Sequence, residues 1–287
     1  MQEQDFPALY RSANELSQNS QKHFLSALRI HLVLLVVAAA LSIVNIPHWS
    51  VAALQLGVLL GALGCSVFLF SKRPDRHWYA GRAVAESIKT ITWRYVCRAE
   101  PFQGDEAAAK TFFQQKLRAI VAQNREVAQT LTSFLDAPQL TDGMRQLRAL
   151  PLTQRKANYA TGRVIDQLGW YAKKAAFNRK TSNAFFWLLI ATNTAAAMFA
   201  ILRMRYVEVT VWPTDVLVAA AASLLSWMQA KRYSELASSY ALTAHEIGLI
   251  REQSLEPATE EEFSHFVGDA ENAFSREHTQ WVARKDA

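Results

Sequence analysis

Charge is segregated along this chain, and that segregation limits what it can fold into. Four windows are almost free of charged residues: about Ile30 to Ile46, Val51 to Phe70, Asn183 to Leu202 and Trp212 to Ala230. A hydrocarbon core of about 30 Å takes roughly 20 apolar residues in helical form, and each window is close to that length. Core helices of a soluble domain normally carry a polar face, which these windows lack. The totals hide the pattern. With 51% hydrophobic and 20% charged residues among 287, a formal net charge of +6 and a mean hydropathy near zero, the average looks soluble. Gly and Pro are sparse, as suits helices. Short links join the windows in pairs. The expected fold is therefore all-α: a polytopic membrane protein of two tandem transmembrane helical hairpins, four spans in all, with a helical cytosolic bundle.

The basic residues set the expected orientation. Ser71 to Ser182 holds twenty Lys and Arg against nine acids, so the positive-inside bias keeps it in the cytoplasm together with both termini. The turns at Pro47-His48-Trp49 and at Arg203 to Val211 then face outward, with Trp49 and Trp212 as interfacial anchors. Arg203 and Arg205 run against the bias and are read as snorkelling at a helix end. A cleavable signal is not expected, because the first apolar run begins near residue 30 after Glu3, Asp5 and Glu15 and is long enough to span.

The chain also repeats itself at an offset of about 160 residues. Asn19 answers to Asn178, and Lys72-Arg73 to Lys231-Arg232. Each inner end is followed by an aromatic, small-residue segment, HWYAGRAVAESIKTITWRY from His77 and RYSELASSYALTAHEIGLIRE from Arg232. Trp78, Arg82, Ala85 and Lys89 fall on one helical face, as do Tyr233, Ala237, Tyr240 and Ala244. An even number of spans per unit makes the repeats parallel. Between them, Phe112, Phe113, Leu117, Ile120, Val121, Val127 and Leu131 mark a long amphipathic helix over Glu106 to Phe134, ended by Asp136-Ala137-Pro138. A second, more basic helix follows Pro151, and the acidic start and basic end of the C-terminal stretch suit a helix dipole. The units read as 1–100, 101–165 and 166–287.

These residues carry a resemblance. The first hairpin followed by AVAESIKTITWRYVCRAEPF, and the second followed by RYSELASSYALTAHEIGLIREQ and ENAFSREHTQWVARK, resemble the SLATT family, the SMODS- and SLOG-associating two-transmembrane effector domains. TWRY-x-x-RAEPF and SREHTQW are its most specific stretches. The resemblance covers nearly the whole chain as a tandem two-copy form. It implies a bacterial inner-membrane protein, encoded beside nucleotide-synthesising or nucleotide-sensing proteins of antiphage conflict systems and proposed to form pores that depolarise or kill an infected cell.

Enzyme signatures are missing from the sequence: HExxH, GxSxG, GxGxxG after a strand, and the P-loop. The expectation is a non-enzyme without cofactor or metal. His245-Glu246 and Glu277-His278 are adjacent on helices, so their side chains point about 100° apart and read as ordinary polar contacts. Cys65 and Cys97 lie in unlike surroundings and form no CxxC spacing.

The polar residues of the apolar windows are more informative. Asp215, Ala219, Ser223, Ser226 and Ala230 share one face of the fourth window. That stripe reads either as a pore lining with an acid at its outer mouth or as a helix-packing face. Gly57, Gly61 and Gly64 make a small-residue packing face. Gln55, Thr192, Asn193 and Thr194 would be costly facing lipid, so they face protein or water. The cytosolic cations Lys72, Arg73, Arg76, Arg82, Arg94 and Arg98 fit the positive-inside bias, anionic lipid headgroups, or a nucleotide held with Trp93. The partners expected are the lipid bilayer, further copies of the chain, and a nucleotide second messenger or cytosolic sensor protein; nucleic acid is not among them.

Overall fold

The structure is a computed structural model that describes residues 1–44 and 48–283, with side chains described as far as 275. Ile46 and Pro47 of the first turn, the side chains of Glu277 and His278, and most of SREHTQW lie outside the described residues. Every regular element among the described residues is helical.

A 3₁₀ turn at Glu3–Asp5 precedes α1 (Ala8–Ile43), α2 (Trp49–Lys72) and α3 (Pro74–Val96). Then come α4 (Glu106–Gln123), α5 (Arg125–Ala128), α6 (Asp142–Ala149) and α7 (Leu152–Tyr159). A π-helical turn, Ala160–Ile165, leads into α8 (Asp166–Arg205), followed by α9 (Thr214–Lys231), α10 (Tyr233–Gln253) and α11 (Glu260–Ala283). α1 contains neither Gly nor Pro, so nothing breaks it over its 36 residues. At 1.5 Å per residue it is about 54 Å long, well beyond the thickness of a hydrocarbon core.

Three helical stretches are long and apolar enough to cross a membrane: Ala8–Ile43, Trp49–Val96 and Leu152–Arg205. In each, only 6% of the most apolar window is buried within the chain. The fourth window is not among them. Pro213 sets the start of α9, which has 18 residues and carries Asp215, Gln229 and Lys231.

The middle of the chain departs from the expected long helix over Glu106 to Phe134. Asn124 ends α4 by turning back on it. Its backbone N–H and its side-chain amide both donate to the Ile120 carbonyl, at 3.2 and 2.9 Å. Asn side chains compete in this way with the helical ladder. Only α5, four residues long, follows before Phe134 takes a left-handed φ of 58°. The reverse happens after Pro151, where the basic helix and the third window join into one helical stretch from Leu152 to Arg205.

The chain divides into two compact units. The first comprises 1–21, 75–172 and 241–287. Its core is aromatic. Trp93 meets Tyr159 edge-on at 5.7 Å between centroids, Tyr159 meets Phe263 at 6.1 Å, and Tyr95 meets Phe113 at 4.8 Å. Of the stretch TWRYVCRAEPF, the residues Trp93, Tyr95, Val96, Cys97, Ala99 and Phe102 are buried. Three arginines are buried with them. Arg148 donates to Glu106 and to the carbonyls of Tyr95 and Phe102. Arg155 donates to Glu260 and to the carbonyl of Cys97. Arg163, on the π-helical turn, makes a two-pronged bond to Glu271 at 2.8 Å, and Tyr159 donates to the same carboxylate at 3.1 Å. Burial alone would lower the Arg163 guanidinium, but the Glu271 carboxylate outweighs it and holds the group above its ordinary range. Burial, aided by Glu271, pushes the Tyr159 phenol well up.

The second unit comprises 22–74 and 173–240. Here the large apolar side chains point outward: Leu54, Leu56, Leu60, Leu63 and Phe70 on α2 are all more than half exposed. An aqueous surface would not tolerate that row, whereas lipid chains are as apolar as the leucines themselves.

Candidate functional site

Some of the polar residues of the second unit lie between its helices, and others are exposed or bonded within their own helix. α1 and α2 are tied by two polar contacts. His31 Nδ1 sits 3.0 Å from the Ala62 carbonyl, and since a carbonyl can only accept, Nδ1 carries the proton. Ser66 donates to the same carbonyl at 3.2 Å. Farther along, Gln55 donates to Ser42 Oγ at 2.7 Å and to the Ala38 carbonyl at 3.4 Å. Gln55 thus faces protein. Thr192 and Asn193 donate to the carbonyls of Leu188 and Leu189, one turn back on their own helix, at 2.8 and 2.9 Å, while Thr194 is exposed. The three glycines differ. A Cβ on Gly61 would touch Leu34 of α1 at 3.3 Å, whereas Gly57 and Gly64 face open space.

The α9 residues also divide. Ser223 donates to the Leu32 carbonyl of α1 at 3.4 Å. Asp215 and Ser226 are exposed, and Ala219 and Ala230 half-buried. Beside Ser223 a cavity of about 720 Å³ opens between α1, α8 and α9. Its walls are Leu32, Val33, Val36 and Val37 of α1, Leu188 of α8 and Leu224 of α9, with further side chains between them. Arg29, Trp227 and Tyr233 also line it. The Arg29 guanidinium lies 5.3 Å from the Trp227 ring, and the Lys231 ammonium 6.0 Å from that ring and 5.6 Å from Tyr233.

The candidate cations fall into different settings. Lys72 and Arg76 are exposed. Arg73 ends α2 in a left-handed conformation, φ 43° and ψ 51°. Its counterpart Arg232 ends α9 in the same way, at 49° and 40°. Arg82 pairs with Glu86 at 2.9 Å. Arg94 donates to the Gly268 carbonyl and to Asn272, at 2.9 and 2.7 Å, and Arg98 to the Arg148 carbonyl at 3.1 Å. Trp93 is 1% exposed, with its ring among Phe6 and Tyr159. Arg94, Arg98 and Trp93 thus sit in the frame of the first unit. His245 and Glu246 are exposed, and no group of three metal-ligating side chains gathers among the described residues.

Comparison with known families decides what the chain is. Residues 7–156 match the SMODS and SLOG-associating 2TM effector domain 3, and residues 159–281 match domain 1 of the same series. The chain belongs to the SLATT family. It is a tandem of two SLATT domains meeting between 156 and 159, and with its long apolar helices it is a membrane protein. No curated protein and no solved structure matches it.

Sequence reasoning passed over several residues. His31 was hidden inside an apolar run, although a lone imidazole there is itself a signal, since it needs a partner. Arg29 stands just outside the same window, which begins at Ile30. Arg148, Arg155 and Arg163 entered only as part of the basic count of Ser71 to Ser182, because nothing local says that a guanidinium will be buried. The one hint was the density of acids in the segments that supply Glu260 and Glu271.

Proposed function

We propose that this SLATT tandem is an effector of a bacterial nucleotide-linked antiphage or conflict system, placed in the inner membrane, that oligomerises into a gated pore. The reading takes both hairpins as spanning, with α9 as the fourth span and the termini in the cytoplasm. One observation carries it: in the three long apolar stretches of a two-transmembrane effector tandem only 6% of the most apolar window is buried within the chain, which leaves those faces for lipid and other copies. Within such an assembly the exposed Asp215 and Ser226 of α9 supply a polar stripe for a lumen, and a ring of acids at its mouth favours cations.

The test is ion flux through purified protein in liposomes, with the oligomeric mass measured alongside. Asp215→Asn lowers cation preference and leaves the mass unchanged, because charge goes at nearly constant shape. Ser226→Phe narrows or dewets the path and cuts flux. A correctly inserted oligomer that passes no ions under any trigger condition overturns the reading. A non-conducting anchor for a cytosolic partner then takes its place. The bond from Ser223 to the Leu32 carbonyl favours that second reading, since it spends part of the α9 stripe on packing within the chain.

A further inference from the structure

The cavity between α1, α8 and α9 has a shape and a charge distribution that the pore reading does not use. Its walls repeat at helical spacing. Arg29, Leu32, Val33, Val36 and Val37 follow one face of α1, and Ala220, Ser223, Leu224 and Trp227 one face of α9. From Arg29 to Val37 the groove runs about 12 Å along the helix, a little less than one leaflet of a hydrocarbon core. The apolar part lies deep, and the positive part lies at one end. There, Arg29 and Lys231 share the Trp227 ring, and Lys231 also feels the charge of Lys174. Among the described residues neither Arg29 nor Lys231 is paired with a carboxylate. The acids of this unit are Glu208, Asp215 and Glu235. Glu208 lies in the segment between α8 and α9, Asp215 at the opposite end of α9 from Lys231, and Glu235 is paired with Arg232.

We infer that this groove holds an anionic phospholipid, with one acyl chain between α1, α8 and α9 and the headgroup phosphate against Arg29 and Lys231. The volume lies within the range of small-molecule sites, and the lining away from the mouth is mostly apolar, with the Ser223 and Thr192 hydroxyls on its walls already bonded to the Leu32 and Leu188 carbonyls, which is how an amphiphile is divided. A second copy of the chain is a poorer occupant. It would bring the same basic helix ends to a mouth that is already positive, and like charges at a contact oppose association. An anionic headgroup cancels the charge instead, and each cation near a membrane surface strengthens such binding by about five-fold. The inference needs only that these helices lie in a bilayer; it does not need the protein to conduct.

The test is native mass spectrometry of the full chain, released from nanodiscs of equimolar phosphatidylglycerol and phosphatidylcholine. The wild type retains phosphatidylglycerol in preference. Arg29→Gln with Lys231→Gln lowers that preference by about 25-fold, while Arg29→Lys with Lys231→Arg keeps it. Val36→Trp fills the groove and loses both lipids with the mouth charges intact. Should that variant fail to fold, the two charge variants, whose changes lie at the rim, decide alone. Equal retention of the two lipids by the wild type overturns the inference, as does an unchanged preference in the glutamine variant. So does efficient crosslinking of Val33→Cys to its counterpart in another copy, which would seat a protein helix where the lipid is placed. Flux is not read in this experiment, so a non-conducting protein that selects phosphatidylglycerol separates the two conclusions.

Discussion

Glu271 is 0% exposed and its carboxylate is held by two bonds from Arg163 and one from Tyr159. Arg163 is buried with it, and its Nη1 has no hydrogen-bond partner among the described residues. Such a pair stabilises little relative to apolar residues, yet breaking it strands a charge in the interior. Glu271→Ala is therefore expected to destabilise the first unit by about 3–5 kcal/mol. Arg163→Met combined with Glu271→Leu should cost distinctly less, because no charge is left behind. Chemical denaturation of the full chain in detergent, followed by tryptophan emission, measures the difference; equal losses in both variants would mean that the pair is not what holds this core. At this scale the sequence was a poor guide. Burial of a charge depends on which distant segment supplies its counter-ion, and Glu271 is 108 positions from Arg163.

Helix identity was far more legible than helix ends. Charge-free windows and helical spacing located α1, α2, α3, α8 and α10, because each is long and its pattern is strong. The errors fell where a single side chain overrides a pattern, as Asn124 does when it closes α4, or where a pattern changes without a break, as between α7 and α8. The close approach of α1 and α3 was also not legible. A Cβ on Gly81 of α3 would lie 3.1 Å from both the Ala13 carbonyl and the Ser17 nitrogen of α1, which are backbone atoms with little freedom to yield. Gly81→Ala should then push the two helices apart and destabilise the first unit by about 1–3 kcal/mol, despite the better helix propensity of alanine. A thermal melt in which Gly81→Ala matches or exceeds the wild type would show that the helices slide apart at no cost.

For the molecule as a whole, the duplication was the most readable feature, and its copies are not equivalent. Asn19 is exposed while its counterpart Asn178 is buried and donates to the Lys174 carbonyl, so a matching letter did not mean a matching environment. Arg73 and Arg232 do match, each holding the left-handed conformation that closes an apolar helix before the next helix begins. A non-glycine residue pays about 1–2 kcal/mol for that conformation, so its recurrence at both places marks a joint kept in each copy. If both copies cross the membrane, cysteines placed at Gln103 and Asn124 will resist an impermeant thiol reagent in intact cells, whereas one at His48 will react. Labelling of the central positions from outside would reverse the proposed orientation. The two copies match different domains of one family, and a peptide bond fixes their pairing one to one. If whole chains close into a ring, that ring must accordingly hold an even number of SLATT domains. A ring of odd parity in these units is forbidden by covalent structure, whatever the number of chains in it.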